Sequence, residues 1–148
     1  MPASAHSPCP CGGPAYATCC GPFIDGAAVP QTAEQLMRSR YSAYTRGLED
    51  YLRATWYPGT LPAGPIVDRI EPPQWLGLEV KFALRLRQRK ANLPEIPDRD
   101  TVEFVARYKI GGRAHRLHEV SSFVRETGVD GVARWFYVDG SFPVKPPR

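Results

Sequence analysis

The chain has 148 residues, a formal net charge of +4 and four cysteines. This length predicts one domain of ordinary size plus a small appendage, enough to bury a core without disulfides or metals. The positive charge is too small to establish nucleic-acid binding, and there is neither a basic N-terminal cluster nor an apolar run of membrane length, so a cytoplasmic protein without membrane contact is expected.

All four cysteines fall within twelve positions, at Cys9, Cys11, Cys19 and Cys20. Four thiolates are the complete ligand set of a closed, structural Zn²⁺ site with Zn–S bonds of about 2.3 Å. The same ligands also suit iron. The competing interpretation is a pair of disulfides, for which three connectivities exist. The adjacency of Cys19 and Cys20 and the lack of any secretion signal favour a metal site, with zinc as the expected ion.

Helical signals follow the cysteines. Residues 21–31 contain glycines, prolines and small side chains and are predicted to form a linker. Thr32 is positioned to cap a helix that begins at Ala33, with Gln35 completing a capping box. Apolar residues then recur at intervals of three and four as far as Gly47, the predicted stop. A second short helix follows directly, and a proline-rich loop ends it.

In the second half of the chain, apolar residues recur at every second position. Strands are predicted at residues 76–86, 102–110, 113–126 and 133–138. Gly111 and Gly112 predict a hairpin turn between the second and third strands. Helices followed by a meandering antiparallel sheet define an α+β fold, in which the sheet must curl around the helices and leave an internal cavity.

These elements carry sequence motifs as well: TAEQLMRSRYSAY at 32–44, Val102-Glu103-Phe104, Leu117-His118-Glu119 and WFYVDG at 135–140. With them the chain resembles the YchJ-like family of bacterial proteins over nearly its whole length. The resemblance implies an N-terminal SEC-C metal-binding motif, a zinc knuckle, at residues 1–25. It implies an NTF2-like domain, a cone of helices inside a curled antiparallel sheet, at residues 31–142. It implies no particular reaction.

The resemblance also implies that the four cysteines are the zinc ligands and that the knuckle docks a protein or ribosomal partner, as related motifs do. Such motifs usually continue into basic residues, whereas residues 13–18 contain no Lys or Arg. This departure argues against contact with phosphates. Tyr16 on the loop is either a partner contact or, on the simpler interpretation, a ring packed over the knuckle.

Arg40 is the most informative polar residue of the main domain. It lies four residues after Leu36 and four before Tyr44, in the middle of the apolar stripe of the first helix. A buried guanidinium requires a carboxylate or several carbonyls. The candidate carboxylate partners are Glu103, Glu119 and Asp139. The favoured interpretation is a structural ion pair between helix and sheet, and the alternative is an arginine that binds an anion or orients a substrate.

The third strand leaves the direction of its side chains open. If Leu117 faces the cavity, Glu119 and Ser121 accompany it; if Val120 does, His118 accompanies it. The cavity receives an ionisable group in either case. The full set of candidate cavity residues is Arg40, Tyr44, Trp56, Tyr108, His118, Glu119 and Tyr137.

A row of like charges is predicted on one face of the first strand, at Lys81, Arg85, Arg87 and Arg89. Such a row can contact phosphates. The simpler interpretation is a solvated face that protects an exposed strand from unwanted pairing. No aromatic side chains are interleaved with these charges, so specific nucleic-acid recognition is not expected.

Two classes of function follow from these observations. The favoured one is a non-enzymatic binding or adaptor module. Its knuckle docks a protein or ribosomal partner, and its cone holds a small ligand or mediates assembly, with a homodimer as one form because NTF2-like sheets often pair. The alternative is an enzyme that uses the cone for acid–base chemistry on a small apolar substrate, with Glu119 or His118 as base and a tyrosine as donor. A third class, a thiol or metal sensor, would require an exposed cysteine of low pKa.

Overall fold

The computed structural model describes residues 7–83 and 98–143. Within these ranges, a 3₁₀ turn at Tyr16–Thr18 precedes three α-helices and four strands. The helices are α1 (Cys20–Asp25), α2 (Ala33–Arg46) and α3 (Glu49–Ala54), and the strands are β1 (Gln74–Ala83), β2 (Arg99–Ile110), β3 (Arg113–Thr127) and β4 (Ala133–Ser141). The predicted order of helices followed by strands is confirmed.

Helix α2 begins and ends where the sequence predicts. The Thr32 hydroxyl accepts a hydrogen bond from the backbone N–H of Gln35 at 3.0 Å, which satisfies one of the free donors of the first turn. The Gln35 side chain accepts from the N–H of Gln31 at 2.7 Å, one residue earlier than in a regular capping box. Gly47 ends the helix with φ of 66°, a left-handed conformation that glycine adopts without steric cost.

The segment predicted as a linker contains a helix. Residues 20–25 form α1, which Gly26 ends at φ of 89°. The prediction was wrong there because Pro22 falls in the first turn, where its missing backbone donor costs nothing, and because Gly21 is needed for close approach to the Tyr16 carbonyl oxygen.

The four strands form one antiparallel sheet in the order β1-β2-β3-β4. Gly111 and Gly112, with φ of 56° and 79°, make the tight turn between β2 and β3 and confirm the predicted hairpin. A bulge between Trp75 and Gly77 breaks the regular alternation of β1. A strict two-residue period would put Leu76 on the core face with Leu78 and Val80, but because of the bulge Leu76 is 48% exposed and Trp75 packs against the core instead.

Part of the predicted basic row lies outside the described residues, namely Arg85, Arg87 and Arg89. Lys81 is exposed and forms an ion pair with Glu79 at 3.0 Å, which agrees with a solvated surface position.

The end of α3 is attached to the edge of the sheet. Trp56 forms a parallel bridge with Tyr137 of β4. The N–H of Tyr57 donates to the Tyr137 carbonyl at 2.7 Å, and the N–H of Tyr137 donates to the Thr55 carbonyl at 2.9 Å. Edge strands with free backbone groups tend to aggregate, so these bonds protect β4 and fix the helices relative to the sheet.

One face of the sheet packs on α2 to form the core. Leu36, Met37 and Tyr41 of the helix lie in one buried cluster with Val102, Phe104, Phe123 and Trp135 of the strands. The same cluster includes Cys9, Cys11 and Cys20. The N-terminal cysteine segment is therefore packed into the main core. Among the described residues, no helix is both long and apolar enough to cross a membrane.

Candidate functional site: a cysteine cluster and a cavity on two faces of α2

The four cysteine sulfurs lie together on one face of α2. All four Sγ atoms are within 4.8 Å of one another, and Cys11 and Cys19 are separated by 3.5 Å between sulfurs. A disulfide bond is about 2.05 Å long, and the four thiols are free. Tetrahedral coordination with Zn–S bonds of about 2.3 Å places sulfurs about 3.8 Å apart. The donor set and its spacing therefore fit one tetrahedral metal ion.

The electrostatics of the cluster also favour a cation. Hydrogen bonding from the Cys20 thiol, the largest effect, lowers the pKa of Cys11 to about 4. Burial raises the pKa of Cys19 to about 11, and the hydrogen bond to Cys11 raises the pKa of Cys20 further. One thiolate is thus stabilised by neighbours that keep their protons. A cation between the sulfurs would favour the ionised forms of Cys19 and Cys20 as well.

The cluster is held on α2 by side chains of that helix. Cys9 Sγ lies 3.5 Å from the Ser42 hydroxyl. Arg38 donates from Nη1 to the Cys11 carbonyl at 2.9 Å and pairs with Glu34 one turn earlier. Cys9, Cys11 and Cys20 are at most 4% exposed, whereas Cys19 is half-buried. The segment is therefore firmly docked on the helix, with one sulfur nearer to solvent.

Tyr16 packs inside the knuckle. Its half-buried ring lies beneath the guanidinium of Arg46, 3.7 Å from Cζ to the ring centroid. A Cβ on Gly21 would overlap the Tyr16 carbonyl oxygen and contact its ring, so glycine is required there. This agrees with the simpler of the two interpretations of Tyr16. Arg38 and Arg46 also supply positive charge beside the knuckle from α2, which the motif itself lacks.

A cavity of about 210 Å³ lies on the other side of α2, against the sheet. Its walls are mainly apolar and aromatic, formed by Met37, Tyr41, Trp75, Phe104, Leu117 and Phe123. Its polar groups come from Arg40, Tyr44, Glu119, Ser121 and Tyr137. A mostly apolar pocket with a few convergent polar groups is the usual form of a small-molecule site.

Arg40 reaches this cavity from α2 and is 5% exposed. Its Nη1 donates to the Leu52 carbonyl at 2.8 Å and to the Thr55 hydroxyl at 2.7 Å. The guanidinium lies over the rings of Trp56 and Tyr137, with Cζ 5.1 Å and 4.7 Å from their centroids. Burial lowers the pKa of Arg40, but an arginine pKa starts so high that the charge remains.

The predicted ion pair of Arg40 is not formed. No carboxylate lies within ion-pair distance of its guanidinium in the described part of the chain, so the predicted pairing with Glu103, Glu119 or Asp139 is replaced by neutral oxygens and two aromatic faces. The reason is local, because the end of α3 presents the Leu52 carbonyl and the Thr55 hydroxyl directly to Nη1. Aromatic faces stabilise a buried cation without desolvating a second charge.

The structure decides which face of β3 lines the cavity. Leu117, Glu119, Ser121 and Phe123 face the cavity. Glu119 is 8% exposed, and its Oε2 accepts hydrogen bonds from the hydroxyls of Ser121 and of Tyr137, the latter at 3.3 Å. His118 points to the opposite face, where its Nε2 lies 2.7 Å from Glu103 Oε2.

Tyr44 and Tyr137, the two tyrosines among the polar groups of the cavity, keep their protons. Burial, together with the negative charge of Glu119, raises the pKa of Tyr137. Burial also raises the pKa of Tyr44, against a smaller opposite effect of Arg40. Both hydroxyls are therefore hydrogen-bond donors at neutral pH.

Two other candidates lie near the cavity without lining it. Trp56 lies behind Arg40, edge-on to Tyr137, and its buried Nε1 has no hydrogen-bond partner in the described part of the chain. Tyr108 stacks on His115 and lines a neighbouring cleft. That cleft shares Tyr44, Trp75 and Leu117 with the cavity, so the two are adjacent. Four of the seven candidates, Arg40, Tyr44, Glu119 and Tyr137, thus line the cavity.

Sequence reasoning missed Gly140 and Thr55. A Cβ at Gly140 would overlap the Glu119 carboxylate, and an isolated glycine within a strand pattern is a signal for such close approach. Thr55 carries no signal of its own, because its role as an acceptor for Arg40 depends on how α3 packs against α2.

The fold and these two sites define an α+β protein with an NTF2-like domain and an N-terminal four-cysteine cluster. The family model of the YchJ middle NTF2-like domain matches residues 32–140. A UPF0225 protein from Ralstonia nicotianae is 52% identical over 95% of this chain and 95% of its own length. A UPF0225 protein from Cupriavidus metallidurans is 53% identical over 90% of this chain and 88% of its own length. The chain belongs to the YchJ-like family, as the resemblance indicates.

Two solved structures are similar to this fold. The solution structure of a SEC-C motif containing protein from Rhodopseudomonas palustris has a TM-score of 0.72 and 30% identity, covering 93% of this chain and 100% of its own. The crystal structure of a SEC-C motif containing protein from Psychrobacter arcticus has a TM-score of 0.72 and 25% identity, covering 97% of this chain and 86% of its own. The predicted NTF2-like α+β fold with an N-terminal cysteine cluster is confirmed.

Proposed function

We propose that this protein is a non-enzymatic binding module that holds a small molecule in the cavity of its NTF2-like domain, with a zinc knuckle built onto the same helix. The observation that carries the proposal is the cavity itself, which has a buried, charged Arg40 without a carboxylate partner in the described residues. A structural ion pair would have neutralised this group inside the core. A cation left to face a cavity is suited to a ligand.

The knuckle's proposed role is structural. Cys9, Cys11, Cys19 and Cys20 would hold the ion, which as zinc would supply a closed four-thiolate centre with no position for a substrate. Iron remains the alternative ion because its thiolate sites have similar geometry. We place the protein in the cytoplasm, where a reducing environment keeps thiols available for a metal.

The same knuckle is proposed to dock a protein or ribosomal partner. Gly12, Pro14, Ala17 and Thr18 stay exposed while the three buried cysteines face α2. Arg46 lies at the rim of this surface over Tyr16. These positions support a contact surface that is separate from the cavity, so that the knuckle and the cone would bind different molecules.

The second candidate function is acid–base catalysis in the cavity, and Glu119 is the observation that favours it. A carboxylate lies beside two protonated tyrosines at the polar end of an apolar pocket. In this arrangement Glu119 would act as base and Tyr44 as donor. Fold similarity alone does not decide between a binder and an enzyme.

Toluene binding tests whether the cavity accepts a ligand. Toluene should shift the NMR resonances of Phe104, Phe123 and Ala106, and the substitution Ala106→Leu should abolish these shifts by filling the cavity. Ala133→Leu, at an exposed position at the start of β4, is the matched control. Cavity resonances that respond neither to toluene nor to its analogues with a polar head (benzamide, benzoate and benzylammonium) would contradict the binding function.

Metal content tests the knuckle. Protein purified without added metal should contain one zinc per chain by elemental analysis, and a chelator should be required before the thiols react with an alkylating reagent. Iron in place of zinc would correct the identity of the ion. Substoichiometric metal with thiols that react at once would contradict the metal site.

A further inference from the structure

The polar end of the cavity carries two opposite charges that do not contact each other. Arg40 and Glu119 both line the cavity and are both at most 8% exposed. They are not within ion-pair distance: burial lowers the pKa of Arg40, and the negative charge of Glu119 only opposes this shift. The two groups therefore present a positive and a negative pole to the same cavity.

Arg40 has hydrogen-bond donors left for a ligand. A guanidinium has five N–H groups. Leu52 and Thr55 both accept from Nη1. Neither Nε nor Nη2 donates to a carbonyl or carboxylate of any residue that the structure describes, and two aromatic rings hold the group in place. The hydroxyl of Tyr44, also in the cavity lining, hydrogen-bonds with Arg40 and keeps its own proton, which adds a further donor.

Glu119 supplies the acceptor. Ser121 and Tyr137 both donate to Oε2 and hold the carboxylate in position. Within the described ranges, 7–83 and 98–143, no hydrogen bond reaches Oε1. A ligand that enters the cavity therefore meets donors on the α2 side and a fixed acceptor on the β3 side.

The charges discriminate against ionic ligands. A ligand carboxylate would be attracted by Arg40 and repelled by Glu119. A ligand ammonium group would be attracted by Glu119 and repelled by Arg40. In each case the repulsion cancels most of the favourable electrostatic energy. A buried charge without net compensation is costly. A neutral head with an acceptor next to a donor satisfies both poles without adding charge.

The rest of the cavity limits the body of the ligand. Trp75, Phe104 and Phe123 are among its walls, and aromatic rings favour edge-on or offset contact with another ring. The volume of about 210 Å³ is below the roughly 300–1,000 Å³ of pockets for drug-sized molecules. It suits a body of one or two rings.

We propose that the cavity binds a small, neutral, planar aromatic molecule whose head group is an amide or lactam, with the carbonyl directed to Arg40 and Tyr44 and the N–H directed to Glu119. This proposal rests on the ligand-binding function proposed above. It adds the chemical class of the ligand and assigns Arg40 and Glu119 as the residues that select it.

Four probes with one ring and different heads test the proposal: benzamide, benzoate, benzylammonium and toluene. Binding is measured by NMR titration of the zinc-loaded full chain at neutral pH. Benzamide should bind at least about tenfold more tightly than benzoate and benzylammonium, a difference equivalent to about 1.4 kcal/mol. It should also bind more tightly than toluene.

The substitution Glu119→Gln tests the selecting residue. It keeps the side-chain shape but removes the negative pole and replaces the free acceptor by a donor. Benzoate should then gain affinity by about tenfold or more and overtake benzamide, since an unopposed Arg40 remains. His118→Gln is the matched control, because His118 lies on the opposite face of β3 and should leave the ranking unchanged.

The outcomes separate the two proposals. If none of the four probes binds, the ligand-binding function itself is wrong. If toluene binds but benzamide gains nothing over it, or if benzoate or benzylammonium is the tightest wild-type ligand, the function stands and the ligand class is wrong. The wild-type ranking decides the ligand class even if the Glu119→Gln variant does not fold.

Discussion

The carboxylate of Glu119 occupies the space that a Cβ atom on Gly140 would fill. The pairing of β3 with β4 places Gly140 opposite Ser121, which also donates a hydrogen bond to Glu119. The cavity acceptor is thus fixed by three features at once: the Ser121 hydroxyl, the Tyr137 hydroxyl and a glycine that leaves room for it.

The substitution Gly140→Ala should displace the Glu119 carboxylate from these partners. We expect the free energy of unfolding to fall by about 1–3 kcal/mol, as for other overpacked buried sites. Thermal unfolding followed by circular dichroism measures the effect. Gly77→Ala is the control, because Gly77 is also a strand glycine but a Cβ added there would meet nothing within 4 Å. Equal melting temperatures for the two variants would contradict the close approach.

Replacing Arg40 by lysine should destabilise the protein although the charge is kept. Lysine lacks the planar guanidinium that donates to Leu52 and Thr55 while it lies against two rings. We expect a loss of about 2–4 kcal/mol in the free energy of unfolding, measured in denaturant. Arg46→Lys, at an exposed position on the same helix, should change it by less than about 1 kcal/mol. Similar losses in both variants would contradict the special position of Arg40.

Glu49 should make the loop that lines the neighbouring cleft sensitive to acid. Its carboxylate accepts hydrogen bonds from the backbone N–H groups of Ile66 and Val67, which line the adjoining cleft. These bonds, together with Arg53, lower its pKa from the ordinary value of 4.5. Since the folded-state pKa is the lower one, this stabilisation is complete above pH 4.5 and is lost as the pH falls through the folded value.

The amide resonances of Ile66 and Val67 report this transition. Their NMR shifts should titrate with a midpoint below 4.5, and the transition should be absent in Glu49→Gln. A midpoint at or above 4.5 in the wild-type protein would show that Glu49 does not hold the loop.

Removing the metal should weaken the main domain as well as the knuckle, because Cys9, Cys11 and Cys20 are part of the same buried cluster as Leu36 and Met37. The free energy of unfolding should fall by several kcal/mol when a chelator is added, an order of magnitude typical of structural zinc. Cys9→Ser should show the lower stability without chelator and no further change with it. A chelator that leaves the melting temperature of the wild-type protein unchanged would argue against a shared core.

The sequence predicted the local elements well because local interactions decide them. The Thr32 cap, the Gly47 stop and the Gly111-Gly112 turn each depend on the conformation of a few neighbouring residues. The exception is α1, where glycine and proline were interpreted as linker residues although the first turn of a helix accepts both. The role of Gly26 as the end of this helix became clear only with the helix in place.

The candidate site was less predictable because it depends on partners that are distant along the chain. The two-residue period of β3 could not tell which face carried Glu119 and which carried His118. The bulge between Trp75 and Gly77 turns the Leu76 side chain away from the core, since one extra residue in a strand interrupts the alternation of side chains between the two faces. Arg40 donates to the Leu52 carbonyl of α3 and to the Thr55 hydroxyl just after α3, and not to the predicted carboxylate.

The sequence by itself determined the four-thiol set, the order of helices and strands and the family, since these follow from residue types at short spacing. The tertiary structure alone decided three further points: that the cysteines share a core with α2, that Glu119 faces the cavity, and that Arg40 enters it without a carboxylate partner in the described residues. Each of these depends on how α2 packs between the knuckle and the sheet. The burial and the electrostatics at such contacts are set by groups that are far apart along the chain. The hydrogen bond from the Trp135 indole to the Gln31 carbonyl is one example.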